Sequence, residues 1–177
     1  MSSLVITAGA VRHRIEQWPV LSAGLAGMLI GMISAMIACL MLVAFDAFLP
    51  KELRGDSAAQ HLGELSGGMM FFTAVLFVPA YETVLGQMLP VALVRRLGGG
   101  AMLCTVFSAL FFGGMHYLNG GLVHGISATI IGPIFATSYL MFRSKGIWAG
   151  FICAFTTHAT HNALLLYVLA AVMPEWA

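Results

Sequence analysis

Glu82, His116, His158 and Asn162 are the side chains of this 177-residue chain best suited to chemistry, and each sits where a polar group is expensive. Glu82 lies in "FVPAYETVLGQMLP" (77–90), His116 ends "FFGGMH", and His158, His161 and Asn162 fall in "HATHN", all within long apolar runs. An ionisable residue at the centre of a membrane helix costs at least about 2.5–3.5 kcal/mol on insertion scales, so it persists where it faces a polar cavity and acts there. Phe112 and His116 are four residues apart, as are His158 and Asn162, so each pair shares one helix face. A carboxylate beside an imidazole can activate water as a general base. A second imidazole and an amide can donate to the oxyanion of a tetrahedral intermediate. That combination is amide hydrolysis. The two-histidine zinc helix HExxH is absent from the sequence. The same donors (Glu82, His116 and His158, with His161) leave a metal-binding alternative open, zinc or another divalent ion.

The elements that must carry these residues are membrane helices. The chain is 60% hydrophobic and 8% charged, against roughly 25% charged residues in ordinary soluble domains. Its formal net charge of +1 offers no field to recruit nucleic acid. The pattern predicts an all-α, polytopic transmembrane bundle of about five spans, near 19–46, 68–94, 101–117, 122–142 and 147–172. Residues 1–18 read as a cytoplasmic or interfacial segment, and 19–177 as a single transmembrane domain. The 50–68 connection has room for a short surface helix with Asp56 or Ser57 as its N-cap. Counted from the ends near Arg95, Ala101 and Ile147, Glu82, His116 and His158 lie roughly 16–23 Å along their helices, so one layer can hold all three. Six Lys and Arg residues on one side against two on the other predict a cytoplasmic N-terminus, with a bacterial inner membrane as the expected location. Gly27, Gly31 and Ala35 recur every fourth residue and form a smooth ridge for a neighbouring helix, within the protein rather than between copies. Cys39, Cys104 and Cys153 all fall in apolar runs and read as packing residues, not as a disulfide framework.

At these residues the sequence resembles the CPBP family of CAAX-protease and bacteriocin-processing (Abi) intramembrane proteases. That family carries EExxxR, FxxxH and HxxxN on successive helices. Here they read "ETVLGQ" (82–87), Phe112 with His116, and His158 with Asn162, and the resemblance covers a core of roughly 68–170. Thr83 stands where the family has a second Glu, and Gln87 where it has Arg. Losing an acid and its basic partner together avoids an unpaired buried charge. The resemblance implies an endopeptidase acting on a membrane-associated peptide or protein. Glu82 with His116 would activate the water, and His158 with Asn162 would hold the oxyanion. Gln87, His161, Thr83 and Phe112 would support the site or contact substrate. With one carboxylate of the pair gone, a metal-free, glutamic-type enzyme is favoured, with no cofactor. A catalytically inactive scaffold of the same fold is the other alternative, and the altered first motif is what favours it.

Overall fold

The computed structural model describes residues 18–53, 65–169 and 171, and every element among them is helical. Residues 1–17 of the expected 1–18 segment, the expected surface helix with Asp56 or Ser57, and the end of the expected fifth span lie outside the described residues, and of the 50–68 connection a short 3₁₀ turn, Lys51–Leu53, is described.

Helix α1 is Pro19–Phe48, with proline in its first turn, where a missing N–H costs nothing. Its pattern is inverted relative to a soluble helix. Small or weakly polar residues (Ala23, Gly27, Gly31, Ser34, Ala35, Ala38) are buried, while Leu25, Leu29, Met36 and Leu40 are exposed. Lipid gives no reason to hide large apolar groups, so helices meet through small ones. Helix α2 runs Gly67–Arg96 and ends with Arg95 and Arg96, where cations suit the helix dipole.

The next helical stretch, Ala101–Arg143, is two helices joined at Gly121, whose φ of 77° and ψ of −163° are not helical. In a straight helix Phe112 and Phe135 would lie about 34 Å apart. Instead their ring centroids are 5.8 Å apart, and those of His116 and His124 are 4.7 Å apart. The chain therefore folds back at Gly121 into antiparallel helices α3 (101–120) and α4 (122–143). Only glycine takes up such a backbone conformation without strain. Helix α5, Ile147–Ala163, continues as a π-helical turn, Leu164–Leu169.

Among the described residues, three stretches are long and apolar enough to cross a membrane: Pro19–Phe48, Gly67–Arg96 and Ala101–Arg143. The chain is thus an all-α transmembrane protein. The expected count of about five spans is not reached on this criterion. The expected third and fourth spans merge into one stretch, and α5 proper is only 17 residues long.

The α1 ridge packs on α5, its most extensive partner. A side-chain carbon on Gly27 would collide with Thr156 and the Cys153 carbonyl, and one on Gly31 with the Thr157 carbonyl and Thr160. These pairings increase together along both helices, so α1 and α5 run parallel. The ridge is therefore a packing face within the protein.

Candidate active site

Glu82 is carried by an irregular helix. Within α2, Phe72–Phe77 and Thr83–Met88 are π-helical, and each precedes a proline, Pro79 and Pro90. In the first π turn the Val78 N–H bonds the Thr73 carbonyl, so the next carbonyl, Ala74, would need the N–H that Pro79 lacks. Asn162 Nδ2 donates to it at 2.9 Å. Near the second proline, Ser108 Oγ of α3 donates to the Gly86 carbonyl at 2.5 Å. Asn162 thus stands in for the donor that Pro79 lacks, and Ser108 binds a second α2 carbonyl from a neighbouring helix. Glu82 lies between these two contacts.

The Glu82 carboxylate lies between two imidazoles from two other helices. Its Oε1 is 3.6 Å from His116 Nε2 and its Oε2 is 3.4 Å from His158 Nε2. The Glu82 side chain keeps 25% of its surface exposed and His116 keeps 15%, whereas His158 keeps only 4%. The site is open on the Glu82–His116 side and closed behind His158.

His116 is oriented by its own helix. Its Nδ1 lies 2.9 Å from the Phe112 carbonyl, which can only accept, so Nδ1 carries the proton. In the neutral ring Nε2 then presents a lone pair toward Glu82. The Phe112 ring lies 4.2 Å from the same imidazole, and the ring of His124 meets it edge-on from α4. Phe112 thus holds His116 by both backbone and ring, a physical reason for an FxxxH spacing. The sequence pairs Phe112 with His116 and puts His124 on the same side as the proposed opening, and the Gly121 reversal brings His124 against His116.

His158 is held by packing. The Phe135 ring stacks on it at 4.4 Å and 28°, and the Phe112 ring meets it edge-on at 5.7 Å. His161 points elsewhere, as its three-residue offset requires. It is buried, its Nδ1 is 2.9 Å from Ser34 Oγ of α1, and its ring lies edge-on to Phe135.

Thr83 and Gln87 are fully buried, and neither Thr83 Oγ1 nor either amide atom of Gln87 has a hydrogen-bond partner among the described residues. The site therefore brings together Glu82, His116 and His158, with the Phe112 ring against both imidazoles. Asn162 joins through the Ala74 carbonyl, and Thr83 and Gln87 lie on the closed side of α2. Among the described residues no group of three or more His, Cys, Asp or Glu side chains is placed to hold a metal ion.

Comparison with known proteins gives one family. The type II CAAX prenyl endopeptidase Rce1-like family matches residues 65–173 of the chain. No curated protein and no solved structure matches it. The matched segment contains α2 to α5 and every residue of the candidate site, and it begins after α1.

Proposed function

The chain belongs to the Rce1-like family of CAAX-type intramembrane proteases, an integral membrane hydrolase acting on peptide or protein substrates, and from that premise we propose a glutamic-type mechanism for it. The observation that carries this reading is the single carboxylate with an imidazole Nε2 on each oxygen, open on one side and closed on the other.

Glu82 and the His116 Nε2 lone pair act on one water. At 3.6 Å their atoms are too far apart for a good direct hydrogen bond and suitably placed to share a third group. The water oxygen bonds to the peptide carbonyl carbon while its proton passes to this pair. The carbonyl oxygen takes up the negative charge. A protonated His158 Nε2 and the second N–H of Asn162 Nδ2 supply hydrogen bonds to it. Collapse of the intermediate breaks the C–N bond, and the proton held by Glu82 goes to the leaving nitrogen. Atoms and charge balance without a further reactant. Donors fixed before the charge develops are the efficient way to lower such a barrier. In this chain Phe112, Phe135 and the proline-freed Ala74 carbonyl do the fixing.

A membrane-associated substrate suits the site. Glu82 lies midway along α2, so the scissile bond must reach the interior of the helical layer, and a lipid-anchored or membrane-spanning peptide can do so. We assign the location to a bacterial inner membrane with the N-terminus cytoplasmic. Arg95, Arg96, Arg143 and Lys145 share one end of the bundle by the topology described, as a cytoplasmic end would have.

The test is purified protein in proteoliposomes with a fluorescence-quenched, farnesylated CAAX peptide. Wild type cleaves it, a strong chelator leaves the rate unchanged, and Glu82→Gln abolishes it while remaining folded. Equal cleavage by wild type and Glu82→Gln would rule the mechanism out, and no cleavage by folded wild type would leave the scaffold reading. Loss on chelation with recovery on adding zinc would replace it by metal-assisted hydrolysis.

A further inference from the structure

Helix α1 lies outside the segment matched by the family, yet it reaches the catalytic layer. Ser34 is fully buried, and its hydroxyl is 2.9 Å from His161 Nδ1, across 127 residues of sequence. The close approach at Gly27 and Gly31 makes this contact possible, because larger residues there would hold α1 away from α5. From His161 the contacts continue inward. Its ring lies edge-on to Phe135 at 5.5 Å and 85°, and Phe135 stacks on His158 at 4.4 Å. Ala38 of α1, one turn beyond Ser34, is buried in the same cluster as Phe135 and Phe112. Helix α1 therefore bears on both aromatic rings that set the orientation of His158.

We propose that Ser34 is a positioning residue, and that α1 is a working part of the proteolytic site, fixing His158 through His161 and Phe135. The proposal rests on the reading of His158 as the oxyanion donor. A serine is suited to the task because its short side chain fits where the helices nearly touch, and its hydroxyl can donate to or accept from either imidazole tautomer. Phe135 is held on one side by His161 and on the other by His158, so loosening the first imidazole frees the second to turn away from Glu82.

The experiment is a kinetic series in proteoliposomes with the farnesylated reporter peptide, each rate normalised to folded protein. Ser34→Ala should lower kcat about 10-fold with KM unchanged, the size of effect expected when a catalytic group is slightly misplaced. Ser34→Cys, close in size and a weak hydrogen-bonding group, should fall between wild type and Ser34→Ala, and it serves if the alanine variant folds poorly. His161→Phe keeps a ring against Phe135 but cannot bind Ser34. It should lower kcat similarly, and adding Ser34→Ala to it should cause no further loss. Wild-type kcat in Ser34→Ala, or losses that multiply in the double variant, would overturn the positioning role. Glu82→Gln run alongside separates the two readings. If it is inactive while Ser34→Ala is fully active, the mechanism stands and this inference falls. If Glu82→Gln is active, the reading of the site falls, and the role of Ser34 with it.

Discussion

Helix α2 and the α1–α5 pair solve opposite problems on the two sides of one carboxylate. Helix α2 is irregular, with two π turns and two internal prolines, and two of its carbonyls, Ala74 and Gly86, are bonded by Asn162 and Ser108 of other helices. The α1–α5 pair is α-helical throughout its contact, and its glycine ridge admits no added carbon. The acid thus sits on a helix whose backbone hydrogen bonds are shared with its neighbours, and the buried imidazole on one held by close packing. Open and adaptable on the first side, closed and stiff on the second, the arrangement suits a reaction in which the proton carriers meet water and substrate while the oxyanion donors must already be in place. Polar contacts between membrane helices average only about 0.6 kcal/mol, so packing carries more of the rigidity than the hydrogen bonds do.

That contrast can be attacked from both sides. The largest effect belongs to Glu82→Gln, which removes the base and leaves the packing. Reporter cleavage should fall by about 10²–10⁴-fold with the thermal midpoint in detergent little changed. Asn162→Ala should come next, because it touches both sides. It removes an oxyanion donor, for about 10²–10³-fold in kcat, and orphans the Ala74 carbonyl, for about 1–3 kcal/mol of stability. A stability loss with kcat intact would make Asn162 a backbone cap alone. Gly31→Val should separate α1 from α5 and destabilise by about 1–3 kcal/mol, read in a denaturant titration, with activity falling through His158 rather than through Glu82. The smallest effect is expected from Gln87→Met. Its amide has no partner among the described residues, so an apolar group of similar shape should leave stability unchanged or slightly raised. A clear loss of cleavage there would show that the closed side of α2 meets substrate.

Much of this arrangement is legible in the sequence, for a reason peculiar to membranes. Lipid makes every polar residue conspicuous, so Glu82, His116 and His158 stand out without any knowledge of the fold, and helix length places them at one depth. The break between 117 and 122 is equally plain, because consecutive glycines interrupt an apolar run. The π turns of α2 are not legible. Proline announces a missing donor, but whether the helix widens around it depends on which side chain arrives to bond the orphaned carbonyl, and Asn162 is 88 residues away from Ala74. Ser34 is hidden for a similar reason. Among Gly27, Gly31 and Ala35 it reads as one more small packing residue, and nothing nearby names His161. Asn162 is legible as a polar partner of His158, but its bond to a backbone carbonyl is not.

The parallel run of α1 and α5 bears on how the protein is made. Synthesis delivers α1 to the bilayer before α5, so the glycine ridge must wait in lipid while α2, α3 and α4 are made. Until then Ser34 has no imidazole to meet, and the half of the site that α5 supplies does not exist. A nascent chain without α5 therefore lacks His158 and Asn162, and the proposed site is complete only once α5 docks.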